Sequence, residues 1–354
     1  MEATMPELAH DHDDAILDEN LARLARTGPE YGGGLSNHGP MAAEALVRLG
    51  RADHVEAWVS GYLPRLDDAP RPGGPVTGHS WRDALGDERR VADWEAFFTG
   101  QLAQEPWRDV LARWWPRLIP GLAAAATHGI IRTAHAARGL DGDFSPERRA
   151  ELAKGLAYWA AAYWEVPGGR RPAGDRSAGA AVDGIGRGAT APGPGLITDV
   201  LPAELAGDER FPAAVAALRP PADIQAGLLD LATTFARAFL VYGRRRPIGL
   251  LHAVTAPVAA RSVLPLLPPE VARDTHDALW LAGAALYRVY ASGATPEPVP
   301  PAAPLAPADL ADKAVRSGDE HAIKLTEACL RLYAERPDPV LLHAAARASD
   351  LFTR

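Results

Sequence analysis

Apolar residues return at helical spacing along almost the whole of this 354-residue chain, and almost nowhere at the alternate spacing of a strand. Alanine and leucine carry the pattern, while Val, Ile, Thr and the aromatics rarely alternate, so the chain reads as all-α. The expected architecture is one large, multi-helix, bundle-like domain spanning residues 1–354, with no strand. Helices are expected at 15–25, 40–50, 52–64, 88–104, 107–139, 147–164, 221–243, 248–264, 268–291, 308–334 and 337–352. Pro40 and Gly50 supply the usual start and stop of their helix, and Pro116 and Pro120 should kink or divide the run 107–139. Two stretches break the periodicity. Residues 166–195 are rich in Gly, Pro, Arg and Ala, and 292–307 in Pro and Ala, so both are expected as long loops. Gly184-Ile185-Gly186-Arg187-Gly188 lies in the first of them, without the preceding strand and following helix that a nucleotide-binding turn requires.

Charge and cysteine content narrow the function. Thirty-seven Lys and Arg against 45 Asp and Glu leave a formal net charge of -8, with no basic stripe or tail, which argues against nucleic acid or an anionic membrane as partner. A lone cysteine, Cys329, excludes an intramolecular disulfide framework and any multi-thiolate metal site, so a bound metal would take nitrogen and oxygen donors. Neither a leader pattern nor an uninterrupted bilayer-length apolar stretch is read, and a cytoplasmic location is expected.

Five histidines fall in segments that read as buried helix: His38, His128, His135, His252 and His321. Buried imidazoles need partners, and a metal ion is a common one. On the helix around His321, that residue, Leu325, Ala328 and Leu332 form one stripe with Lys324 at its border, while Ile323 and Leu330 face the other way. His321 and Lys324 can therefore reach one point. An ammonium beside a cation is repelled, so a metal-binding lysine would first have to lose its charge, for example as a carbamate; the alternative is a snorkelling lysine paired with Glu320 or Glu327. His128 and His135 share a face two turns, or about 10.5 Å, apart, so one of them could sit outside a common ion's reach. Arg132 lies between them and suits an anion or a carboxylate. His38 lies at a helix entrance that Asn37 can cap, and His252 stands ahead of Pro257. His10, His12, His54, His79 and His343 read as surface residues. His276-Asp277 resembles the adjacent pair of helical metal phosphohydrolases but is expected in an exposed first helical turn, and no nucleophile elbow is present.

Together these segments are similar to the questin oxidase-like family. The resemblance runs from Leu17 to Ala346 and is carried by Asn37 to Leu46 with Leu49-Gly50, Trp81 to Gly86, Asp93-Trp94, Thr127 to Arg138, Tyr158-Trp159-Ala160, His252 to Thr255 and Asp319 to Lys324. It implies an all-helical oxygenase of secondary metabolism that uses dioxygen to open polyketide-derived aromatic or quinone rings, described as Baeyer-Villiger-type. It further implies non-haem Fe(2+) held by four histidines and a lysine carboxylated by CO2, with Lys324 at the lysine position and four of the five histidines as ligands. On that reading Arg132 orients an oxyanion, and Trp114, Tyr158 and Trp159 are candidates to stack on the substrate. A need for NADPH, the identity of the substrate and the oligomeric state are left open. The competing classes are the phosphohydrolase and a non-catalytic helical binding protein.

Overall fold

The computed structural model describes residues 5–140, 145–299 and 305–353, with side chains described from His12 onward. The side chain of His10 and residues 300–304 of the expected second loop lie outside the described set. In chain order the helices are α1 Met5–Leu24, α2 Gly39–Arg48, α3 Val55–Tyr62, α4 Trp81–Ala84, α5 Val91–Gln104, α6 Trp107–Leu118, α7 His128–Gly139, α8 Pro146–Ala161 and α9 Ala178–Ile185. They continue with α10 Ile197–Leu205, α11 Phe211–Ala216, α12 Ile224–Tyr242, α13 Pro247–Val263, α14 Val271–Tyr290, α15 Pro307–Ser317, α16 Glu320–Glu335 and α17 Pro339–Leu351. The fold is all-α. The strand content missed by the sequence reading is a two-residue hairpin, β1 Glu30–Tyr31 against β2 Leu35–Ser36, turned by Gly32, Gly33 and Gly34, all at positive φ.

Four helices form the frame. α13 packs on α7 and α16, and α2 also packs on α7 and α16, so the four close a ring, with α8, α12, α14 and α17 against its outside. α13 is buried continuously from Gly249 to Ala260, which is why its sequence is apolar all round. By length and composition α12 and the run Pro247–Leu266 could cross a membrane, but Asp230 and Arg237 interrupt the first and Arg261 the second, and most of each lies buried inside the protein. The α7–α8 contact is close because glycines permit it: a Cβ on Gly129 would meet Trp159 Cα at 2.7 Å, and one on Gly155 would meet Thr133 Cα at 3.0 Å.

Two of the expected boundaries need correction, and one expected division is found. The run 308–334 is two helices, because Gly318 turns left-handed (φ 68) after α15 and the Asp319 side chain caps α16 by accepting from the His321 amide at 2.8 Å. The run 107–139 divides after α6 at Ile119–Gly121 around Pro120, as expected, while Pro116 lies inside α6. Residues 166–195 are not wholly loop, since α9 lies within them, capped by Ser177, and α10 and α11 were not expected at all.

Between α6 and α7 the chain does something ordinary residues avoid. Ala125, Ala126 and Thr127 have φ of 45, 56 and 70, the only non-glycine residues at positive φ among those described. Each such residue costs on the order of 1 kcal/mol, and the run directly precedes His128. Ala126→Gly is expected to raise the free energy of unfolding by about 1 kcal/mol, read as a shift of the urea midpoint without change of slope. A lowered midpoint would contradict strain at this position.

Candidate metal centre and substrate cavity

Each helix of the ring delivers one histidine to the same place. His38 is the N-cap of α2, His128 opens α7, His321 is the second residue of α16, and His252 stands a turn and a half into α13. Local chemistry fixes each entrance. Asn37 Oδ1 accepts from the Gly39 amide (2.9 Å) while its Nδ2 donates to Gly28 O (2.8 Å), and the His38 amide donates to Tyr62 Oη (3.0 Å). The left-handed run before α7 aims Ala125 O at His128 Nδ1, 2.5 Å away. Asp319 Oδ1 lies 3.1 Å from His321 Nδ1 as well as capping the helix. With their Nδ1–H groups engaged, His128 and His321 present Nε2 as the free donor atom, the arrangement that outer partners impose on metal-binding imidazoles.

The four rings meet closely. His38 and His128 stack with centroids 4.6 Å apart, His321 lies edge-on to His38 at 4.5 Å, and His252 lies edge-on to His128 at 4.4 Å. Nitrogens of His38, His128 and His252 all lie within 4.8 Å of one another, as do ligand atoms of His38, Glu320 and His321. The Nε2 atoms of His38 and His128 approach to 2.6 Å. Two nitrogens bound at about 2.1 Å to one ion at a right angle sit roughly 3 Å apart, so these rings would open by only a few tenths of an ångström to hold a metal.

Unmet polar groups gather at the same point. His38 Nδ1, both nitrogens of His252 and Lys324 Nζ are buried with no hydrogen-bond partner among the described residues, and the nearest carboxylate oxygen to His38 Nδ1, on Glu320, is 3.6 Å away, beyond hydrogen-bonding reach. Orphaned polar atoms of this kind are costly unless something else satisfies them. Burial first, then the Lys324 charge, holds His38 and His128 well below the usual imidazole range, and for His252 burial is followed by His128 and then Lys324. His38, His128 and His252 are therefore held neutral, as ligation requires. Lys324 is 1% exposed, and burial outweighs Glu320 and Asp319 to lower its pKa to about 8. The cluster thus offers a nitrogen- and oxygen-ligated transition metal two overlapping groups, His38, His128 and His252, and His38, Glu320 and His321, and the Lys324 charge acts on His38, His128 and His252 from close by.

His135 does not join them. Its Nδ1 lies 2.8 Å from Glu44 Oε2, in a buried network that also ties Arg138 to Glu44 and Glu327. Arg132 is likewise engaged elsewhere: its guanidinium donates to both oxygens of Glu151, at 2.6 and 2.9 Å, and it does not line the cavity. The pair is a buried bridge between α7 and α8. Glu151→Ala should strand that charge and destabilise the protein by about 4 kcal/mol, whereas the paired change Arg132→Met with Glu151→Leu should recover most of the loss. Equal denaturation midpoints for Glu151→Ala and wild type would contradict the bridge.

The aromatics expected to stack on substrate do not line the cavity either. Trp114 packs among Trp81, Trp94, Phe97 and Phe98, Trp159 crosses Trp115, and Tyr158 Oη bonds Ser36 and Glu30. His276, expected to be exposed, is 1% exposed and lies 3.1 Å from Asp277, and no other histidine, cysteine or carboxylate joins them among the described residues. His343, expected at the surface, is 9% exposed, while His12, His54 and His79 are exposed as expected. Burial raises the Cys329 pKa, and its buried thiol is inert. Gly188 forms no phosphate cradle; its amide donates to Ser292 Oγ at 2.6 Å.

Above the histidines lies a cavity of about 490 Å³, within the roughly 300–1,000 Å³ of small-molecule sites. His38, His128, His252 and His321 form part of its wall, with Ala126, Tyr290 and Phe352 beside them. Phe352 stacks on His321 with centroids 5.2 Å apart. Sequence reasoning missed Tyr290, Phe352, Arg245 and Arg246, none of which lies in a recognisable motif.

The geometry accords with what comparison with known proteins gives. The questin oxidase-like family model matches residues 36–223, more than half of the chain. The chain belongs to the questin oxidase-like family. No curated protein matches it. The matched span carries His38 and His128, while His252, His321 and Lys324 lie beyond it and are brought to the same point by α13 and α16. Questin oxidase-like membership implies an oxidase-type oxidoreductase and suggests aromatic polyketides as its substrates.

Proposed function

We propose that this questin oxidase-like protein is a dioxygen-dependent, non-haem iron oxygenase that inserts oxygen into, and opens, an aromatic polyketide or quinone ring. One observation carries the reading: four histidines from four helices, with a buried lysine, converge beneath a substrate-sized cavity. No thiolate cluster is available, and nitrogen donors with one anionic group suit iron(II).

In this mechanism each residue has a physical task. His38, His128, His252 and His321 would supply imidazole nitrogens, and Ala125 O and Asp319 fix two of them by holding their Nδ1–H groups. Lys324, with a pKa of about 8, exposes an uncharged amine often enough to add CO2, losing a proton and becoming an anionic carbamate. That group would complete the ligand set and balance the metal's charge. Bound iron supplies the redox chemistry by which dioxygen reacts with the ring. The cavity wall would hold the flat substrate against the histidines.

The test is incubation with a panel of hydroxyanthraquinones under labelled dioxygen. The expected product carries labelled oxygen, with oxygen uptake matching product formed. His276→Ala should retain this activity. Absence of label from every product, with phosphate-ester hydrolysis that depends on His276, would replace the oxygenase by a phosphohydrolase.

A further inference from the structure

The cavity is electrically lopsided. It adjoins a second cleft of about 630 Å³ that carries Asp67, Glu88 and Asp199, and the two share Glu30. The acidic groups of the main cavity are already engaged: Glu30 accepts from Tyr158 Oη at 2.8 Å, Asp319 caps α16, and Glu320 faces Arg65 Nη2 at 3.4 Å.

The wall made by the start of α13 is different. Arg245 is exposed and has no hydrogen bond or ion pair among the described residues, and Arg246 donates only to Gly193 O, at 3.3 Å. α13 begins at Pro247 without a side-chain cap, so its first-turn amides add positive potential beside the two arginines. Tyr290 stands against the same turn, because a Cβ on Gly249 would meet its ring at 2.4 Å. Tyr290 is 6% exposed, lines the cavity, and its hydroxyl has no partner among the described residues. A buried hydroxyl left unpaired is costly, and a ligand oxygen would remove that cost. Leu35 and Ile248, two of the few exposed large apolar side chains, flank the opening at 48% and 41% exposure.

We propose that this wall is an anion subsite: Arg245 and Arg246 pair with a carboxylate on a flat apolar substrate whose body lies between Leu35 and Ile248, and Tyr290 Oη donates to an oxygen of the same molecule. The assignment deepens the functional reading by naming the substrate as an aromatic acid, and rests on that reading only for the cavity being the substrate site. Orientation follows from charge, since the carboxylate is repelled from the cleft of Asp67, Glu88 and Asp199 and drawn to α13.

Equilibrium dialysis of the intact, metal-loaded protein without dioxygen tests this, using anthraquinone-2-carboxylate and the neutral anthraquinone-2-carboxamide. Wild type should prefer the carboxylate on the order of tenfold, and added salt should narrow the preference. The double variant Arg245→Gln with Arg246→Gln should bind the two probes equally, at the wild-type affinity for the carboxamide. Tyr290→Phe should weaken both probes by a similar factor of about five, leaving the preference in place. Equal wild-type affinities, failure of both probes to bind, or a preference that survives in the double variant overturns the subsite. Binding is read apart from turnover, so a chain that selects the carboxylate yet incorporates no oxygen keeps the subsite and loses the oxygenase.

Discussion

Lys324→Met should yield a protein that is inactive, poor in metal, and more stable than metal-free wild type. The lysine head is 1% exposed with no hydrogen-bond partner among the described residues, and burial, partly offset by Glu320 and Asp319, lowers its pKa from 10.5 to about 8. The unfolded chain then binds more protons than the native one between those values. Stability of the metal-free protein therefore rises with pH from about 8 to 10.5, and the deficit is full below 8. A shift of that size corresponds to about 3 kcal/mol, which methionine, of similar length and without charge, should recover at neutral pH. No such gain is available for a lysine kept only as structure and satisfied elsewhere. The readouts are urea midpoints of the metal-free proteins at pH 7 and 10.5, and carbon-13 labelling for a carbamate in the loaded wild type. Equal midpoints at pH 7, with no carbamate signal, would remove Lys324 from the centre.

The histidine variants should divide into two groups. His252→Ala should weaken metal binding by at least about a hundredfold, because both nitrogens of His252 lack any other partner among the described residues and its ring lies 4.4 Å from that of His128. His38→Ala and His128→Ala should act alike. His135→Gln should leave metal affinity unchanged within about twofold and cost stability instead, since His135 serves the Glu44 network and Glu44 keeps Arg138. Competition against a chelator of known affinity separates the outcomes. Metal loss in His135→Gln equal to that in His252→Ala would contradict the ring of four.

Periodicity makes the helical fold legible because burial of one face is written into spacing, and it marks the five histidines as inward-facing. It does not say which of them meet. His128 and His135 look equivalent on one face, and only the packing of α2 and α13 around the start of α7 selects the first. The break before α16 was written in Gly318-Asp319, a left-handed stop followed by a cap, and was overlooked because apolar spacing continues across it. Ala125-Ala126-Thr127 is different, since nothing in those residue types signals left-handed backbone; the surrounding packing imposes it. Arg132 offered a charge without a partner in its own segment, and Glu151, on the next helix, answers it. Tyr290 and Arg246 become neighbours only through the contact of α13 with α14.

The most direct test of the central claim is elemental analysis, with X-ray absorption at the metal edge, on protein purified with neither added metal nor chelator. The account predicts roughly one iron per chain in a shell of nitrogen and oxygen at about 2.1 Å, no sulfur, and a simpler histidine signature in His252→Ala. Protein that carries no transition metal and takes up none when offered iron(II), or a metal shell unchanged by loss of His38, His128 and His252 in turn, would contradict it.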